Sequence, residues 1–155
     1  MTEPAPAAAA ATVAIELRLR YAHGLGGLAP YFAGLERGAA MATRCRGCGR
    51  TWFAPRLACP CGGRELAWVE LTGRGTLVAL TRGRALLPGT GRAGEFAFAL
   101  IQLDGADNRC FGRLGGASAQ LGPGSAVRLS RAGGAWAHPA QCAEYVADTG
   151  DPQRA

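Results

Sequence analysis

Hydrophobic and polar residues alternate along most of this chain with a period of two, the signature of strands with one buried face. In the first such stretch Val13, Ile15, Leu17, Leu19 and Tyr21 fall on one side, and Ala14, Glu16, Arg18 and Arg20 on the other. A half-buried antiparallel strand is expected there, ended by Gly24, Gly26 and Gly27. The period then lengthens. Leu28, Tyr31, Phe32 and Leu35 recur at helical spacing, Pro30 suits a first turn and Gly38 a stop, which predicts a short amphipathic helix. From Trp68 the strand pattern returns between glycine-rich turns. The expected strands are Trp68–Leu71, Gly75–Arg82, Glu95–Leu103, Asn108–Leu114, Ala126–Arg131 and a last one within Trp136–Val146. Val127 and Leu129 alternate with Arg128 and Ser130, so that strand has one wet face. Glu95–Leu103 is apolar on both sides, with Phe96 and Phe98 expected to turn inward. Asp104-Gly105 is a turn signal. Five or six short strands with little helix predict a mainly β fold built on a small closed barrel, because closure removes exposed sheet edges.

Composition narrows this only a little. The chain has 155 residues, 48% hydrophobic and 18% charged, which suits one ordinary domain or two small ones. No apolar run approaches the roughly 20 residues needed to span a bilayer. Residues 1–12 open with an acid and two prolines and lack a basic start, so a disordered tail is expected and not a secretion signal. The net charge is +6, carried without a single lysine. Arginine clamps phosphate and carboxylate in bidentate fashion, but an Ala/Gly/Arg-rich, lysine-free chain also follows from GC-rich coding. The charge is therefore weak evidence for a nucleic-acid partner.

The cysteines change the picture more. Cys45-Arg-Gly-Cys48 and Cys59-Pro-Cys61 are separated by ten residues, and each pair is followed by glycine. Two such pairs are the knuckles of a zinc ribbon, in which four thiolates stabilise a segment too small to bury a core. The pairing argues for a reducing, cytoplasmic setting over a disulfide framework. The second knuckle is one residue short of the usual C-x-x-C. It is expected to lose part of the turn whose N–H groups point at sulfur. Thr51–Arg56 reads as the apolar hairpin over the metal, with Trp52 and Phe53 as its packing residues. Four protein ligands leave no open position, so the zinc would be structural. Cys110 and Cys142 stand alone in apolar stretches and read as small buried hydrophobes. No catalytic constellation is legible. There are two histidines, no H-E-x-x-H, no G-x-S-x-G, and residues 84–94 lack the Gly-Lys-Ser/Thr of a phosphate loop.

The order of these motifs resembles a known family. The helix with Tyr31-Phe32, Cys45-x-x-Cys48-Gly, Phe53-Ala-Pro55-Arg56, Cys59-Pro-Cys61-Gly and Trp68-Val-Glu-Leu-Thr-Gly-Arg-Gly75-Thr are similar to the zinc-ribbon OB-fold family known as domain of unknown function thirty-five. Leu103-Asp-Gly-Ala-Asp107 and Leu121-Gly-Pro-Gly-Ser-Ala-Val127 look like its later strands. The resemblance covers about residues 12–147 and departs from the family at the shortened knuckle. It implies a tail at 1–12, an N-terminal strand and helix at 13–42, a rubredoxin-like ribbon at 43–66, a five-stranded OB barrel at 67–148 and a tail at 149–155. It also implies a non-catalytic accessory subunit of a thiolase-like or ketosynthase-like acyltransferase, with a hydratase or second acyltransferase as a further partner and acyl-CoA as substrate, in lipid or steroid degradation or polyketide-type biosynthesis. Residues 43–66 hold five arginines and one acid. Arg44, Arg46, Arg50 and Arg56 are candidate contacts for the phosphates of CoA. Tyr31 and Phe32 are candidate anchors for a partner surface. The alternative is a single-stranded nucleic-acid-binding OB protein. A barrel with few outward aromatics argues against it.

Overall fold

The computed structural model describes residues 24–86, 93–116, 120–130 and 143–150, with Val13, Ile15, Glu16 and Ala22 placed singly. A 3-10 turn, Gly26–Leu28, leads into helix α1, Ala29–Arg37. Pro30 sits in its first turn as expected, and Gly38 closes it, with the Ala39 N–H donating to the Gly34 carbonyl (2.9 Å). The apolar face of α1 is fully used. Leu35 has no exposed surface, and Tyr31 and Phe32 are buried against Ala40, Ala42 and Phe53. The Tyr31 ring meets Phe32 edge-on at 5.1 Å and Phe53 at 5.6 Å. The two aromatics read from sequence as partner anchors are therefore core residues of this chain: their area is spent holding α1 down.

Among the described residues eight strands follow, in two sheets. Strands β1 (Ala40–Cys45), β2 (Thr51–Trp52) and β3 (Leu66–Leu71) form a three-stranded sheet in the order β2-β1-β3. Strands β4 (Arg74–Leu86), β5 (Ala93–Leu103), β6 (Arg109–Leu114), β7 (Ala126–Leu129) and β8 (Glu144–Ala147) close a barrel in the order β4-β5-β6-β8-β7. The mainly β class and the closed five-stranded barrel match the sequence reading. One strand changes sheet. Trp68–Leu71, expected to open the barrel, pairs with β1 along its whole length, from Ala40 opposite Leu71 to Cys45 opposite Leu66. The ribbon sheet thus reaches Leu71, and the barrel begins at Arg74. The pairing was hidden because β1 reads Ala-Met-Ala-Thr-Arg-Cys, too short of large apolar residues to register as a strand.

The barrel interior is filled by Leu77, Ala97, Ala99, Ile101, Leu103, Cys110, Leu114, Val127, Leu129 and Tyr145. On β5 the inward set is Ala97, Ala99, Ile101 and Leu103. Phe96, Phe98 and Leu100 lie on the outer face, half-buried, opposite to the inward orientation expected for the two phenylalanines. A five-stranded barrel is narrow, since diameter falls with strand number, and alanines fit where two phenyl rings would not. Val13 and Ile15, placed by alternation on a buried face, are 84% and 77% exposed. Most of the predicted N-terminal strand, residues 1–12, 87–92 and 131–142, and with them His23, His138 and Cys142, lie outside the described residues.

Ribbon and barrel share one hydrophobic core, from Leu35 and Phe53 to Tyr145. They are also joined by hydrogen bonds from the β5–β6 turn to β2. The Thr51 N–H donates to Asp107 Oδ2 (2.7 Å), and the Asp107 N–H donates back to the Thr51 carbonyl (2.9 Å). The Phe53 N–H donates to Asn108 Oδ1 (3.0 Å), and Asn108 Nδ2 donates to the Phe53 carbonyl (2.6 Å). The turn acts as a strand would, satisfying the free edge of β2. Asp107→Ala leaves the Thr51 N–H without its acceptor, and is expected to destabilise the fold by about 1–3 kcal/mol. The shift of the urea unfolding midpoint measures this.

Candidate metal centre

The two knuckles bring four sulfurs together. The Sγ atoms of Cys45, Cys48, Cys59 and Cys61 all lie within 4.8 Å of one another. Cys45 and Cys61 are 3.7 Å apart, and Cys48 and Cys59 3.5 Å. These distances are far too long for disulfides. Four sulfurs at about 2.3 Å from a tetrahedral zinc would stand about 3.8 Å apart, so the spacing fits this metal. Cys45 and Cys59 are buried beneath Trp52 and Leu66, while Cys48 and Cys61 are exposed.

Each knuckle is a tight turn completed by the glycine after its second cysteine. Gly49 (φ 75°) donates its N–H to the Cys45 carbonyl at 2.9 Å, and Gly62 (φ 87°) donates to the Cys59 carbonyl at 2.9 Å. Both φ values lie where a side chain would be strained. The shortened knuckle keeps its shape through one more bond, from the Cys59 N–H to the Gly63 carbonyl (2.8 Å). A Cβ at position 63 would stand 2.9 Å from Cys45 Sγ and 3.3 Å from Cys61 Sγ, so the fourth sulfur fits only because residue 63 is glycine.

Electrostatics favours thiolate at one corner and resists it at another. The Cys61 backbone N–H is directed at Cys59 sulfur and, with help from the Trp52 indole, lowers the Cys59 thiol to about 6. The sequence reading expected the C-x-C turn to lose such support; one N–H survives. The Trp52 Nε1 atom is buried and makes no full hydrogen bond, so its help to Cys59 acts at longer range. At Cys48 the Arg50 N–H pulls downward, but the Cys61, Cys59 and Cys45 thiols and partial desolvation outweigh it and push the group up to about 12. The metal-free Cys48 therefore holds its proton at neutral pH, and a divalent cation would displace it. The donor set is soft, four-coordinate and closed, the chemistry of a structural zinc.

The structure separates the four candidate arginines. Arg56 lies over the Trp52 ring, its guanidinium carbon 4.4 Å from the centroid. Arg44 Nε donates to the Gly49 carbonyl (3.2 Å). Both support the ribbon itself. Arg46 and Arg50 are exposed. Away from the ribbon, Cys110 is buried with its sulfur 3.1 Å from the Tyr145 hydroxyl. Burial pushes the Cys110 thiol up, and burial and Cys110 together push the Tyr145 phenol up. Neither is poised as a nucleophile, in keeping with Cys110 as a core residue. No helix among the described residues is long and apolar enough to cross a membrane.

With this geometry in place the comparisons are direct. Residues 32–67 match the rubredoxin-like zinc ribbon domain of ChsH2. Over these residues the chain is similar to that zinc ribbon, and its fold is similar to that of solved DUF35 structures. A structure described as the Ltp2-ChsH2(DUF35) aldolase superposes with a TM-score of 0.60 at 22% identity, over 83% of this chain and 98% of that one. A DUF35-family protein of unknown function from Sulfolobus solfataricus superposes with a TM-score of 0.50 at 15% identity, over 77% of this chain and 83% of that one. No curated protein matches the chain. The ribbon match spans all four cysteines, C-x-C knuckle included, and supports structural zinc at this site.

Two outcomes test the centre. Purified protein should carry close to one zinc per chain by elemental analysis, and Cys59→Ser should carry well under half. Zinc occupancy should be full at neutral pH and fall on acidification, because protons compete with the metal for the four sulfurs. Titration with a chromogenic zinc chelator follows the release. Occupancy that rises on acidification would contradict the assignment.

Proposed function

We propose that this chain is a non-catalytic accessory subunit of an enzyme complex that acts on acyl-CoA or acyl-carrier substrates. The observation that carries this reading is a ribbon closed by four protein ligands, joined to a barrel whose described cysteine is buried. The molecule offers surfaces and no reacting group among its described residues. The solved chain that this one covers over 98% of its length is named as part of an Ltp2-ChsH2(DUF35) aldolase, which supports a role beside a partner enzyme. A thiolase-like or ketosynthase-like protein is the partner this reading assigns, in a reducing cytoplasm suited to zinc-bound thiolates. Because the comparison complex is an aldolase, carbon–carbon bond cleavage joins acyl transfer among the partner's reactions.

Arg46 and Arg50 are the arginines this reading assigns to CoA phosphate, since Arg44 and Arg56 are engaged within the ribbon. Coexpression with the thiolase-like protein of a neighbouring gene tests the reading. The two chains should copurify in a fixed ratio, and the partner alone should lose solubility or activity. Arg46→Glu with Arg50→Glu should raise the KM for the CoA substrate several-fold and leave assembly intact. A partner equally soluble and active alone would exclude the accessory role.

A further inference from the structure

A cavity of about 370 Å³ opens where the barrel meets the helix and the ribbon sheet. Gly38, just after α1, and Leu129 of β7 form part of its wall. The rest of its lining is polar: Thr72 between β3 and β4, Arg74 of β4, Arg128 of β7, and Asp148 and Thr149 just after β8. Strand register brings these charges together. β4 and β7 run antiparallel with Arg74 directly opposite Arg128, and opposed residues share a face with Cβ atoms about 5 Å apart. Val127 and Leu129 take the inner face, so Arg128 stands on the outer one. The Asp148 N–H donates to the Ala126 carbonyl (3.0 Å), which carries the chain after β8 along the same face. Like charges in opposed positions destabilise a sheet. Here one carboxylate answers two guanidiniums. Arg74 Nε and Asp148 Oδ2 are 3.4 Å apart, longer than a normal N–H···O bond, and Arg128 has no ion-pair partner among the described residues. The Asp148 side chain is 12% exposed against 54% for Arg74, so the carboxylate lies deeper than the arginine.

We propose that this cavity is a binding site for a small phosphate-type dianion that also carries a hydroxyl. Arg74 and Arg128 take the charged oxygens, Thr72 and Thr149 donate to them, and Asp148 accepts the ligand's hydroxyl. Three features select this chemistry. The lining holds two arginines and one acid, a positive excess that only an anion relieves, and guanidinium matches phosphate oxygens in geometry as well as charge. The Thr72 hydroxyl accepts the Arg74 N–H (3.3 Å), which leaves its own O–H to donate. A carboxylate can only accept, so beside an anion Asp148 repels unless the ligand brings a proton to it. Hydrogen phosphate or a hydroxylated phosphate monoester brings one, whereas sulfate at neutral pH does not. The volume is at the small end of ligand cavities, and the polar lining suits no apolar ligand. The site uses none of the ribbon arginines assigned to CoA. It stands or falls independently of the accessory role, and its test involves no partner enzyme.

The test uses the full-length, zinc-loaded chain and three probes at matched ionic strength: inorganic phosphate, glycerol 3-phosphate and sulfate. Calorimetry should show saturable binding of phosphate or of the monoester, with sulfate at least about 10-fold weaker, the loss expected for one hydrogen bond to a charged group. Arg128→Gln should weaken binding by about 10-fold or more for the same reason. Asp148→Asn keeps the side chain's shape and gains a donor, so it should bring sulfate up to the level of phosphate. Tighter binding of the monoester assigns the cavity to an esterified phosphate, and the reverse order assigns it to the free ion. Phosphate should also raise the melting temperature beyond sulfate, which stabilises proteins by exclusion alone, and Arg128→Gln should abolish that difference. Absence of saturable binding by phosphate and monoester at millimolar concentration overturns the proposal. So does sulfate binding equal to phosphate in the parent, or binding that Arg128→Gln leaves unchanged. Without ligand, Arg128→Gln should unfold at or above the parent midpoint, since the side chain is exposed and its removal relieves the opposed charges.

Discussion

The two-residue edge strand Thr51–Trp52 is the point on which the ribbon depends. A strand this short cannot satisfy its own backbone, and it has one neighbour in the sheet. Its free edge is met by the side chains and backbone of Asp107 and Asn108, reaching over from the barrel. On the same few residues Phe53 enters the common core and Trp52 roofs Cys45 and Cys59. Hydrogen bonding, burial and the sulfur cluster thus converge on one hairpin. The ribbon is held from two sides, by the barrel turn and by the thiolate quartet, and neither side requires it to possess a core of its own.

That double support explains how a knuckle can lose a residue. Shortening C-x-x-C to C-x-C removes part of a turn, but Cys59 retains an N–H from Cys61 and closes onto the Gly63 carbonyl. Gly63 then provides the space in which Cys45 and Cys61 approach to 3.7 Å. The glycine pair after Cys61 works as part of the ligand geometry: Gly62 turns the chain and Gly63 leaves room for sulfur.

The barrel sorts the phenylalanines by size. Tyr31, Phe32 and Phe53 fill the wide seam between α1 and the ribbon sheet, where no strand curvature limits them. Phe96, Phe98 and Phe111 belong to strands whose inner face closes on a narrow bore, and that bore takes Ala97, Ala99 and Ile101. The one large ring inside is Tyr145 of β8, which lies against Gly112, so the aromatic surface of the described residues is on the barrel strands and not on α1.

The sequence by itself determined the helix and its stop at Gly38, the cysteine quartet, the turn at Asp104-Gly105 and four strands of the barrel. Each of these is a local matter of period, backbone freedom or ligand spacing. It could not determine which face of β5 points inward, because Glu95–Leu103 is apolar on both faces and periodicity is silent there. Nor could it assign Trp68–Leu71 to a sheet, since its partner β1 is alanine-rich and its pairing spans more than twenty residues. The fate of Tyr31 and Phe32 was equally out of reach: an amphipathic helix has the same pattern whether its apolar face meets its own core or another chain. Those choices are made by tertiary packing, where the bore of the barrel and the reach of Asp107 and Asn108 decide between local patterns of equal quality.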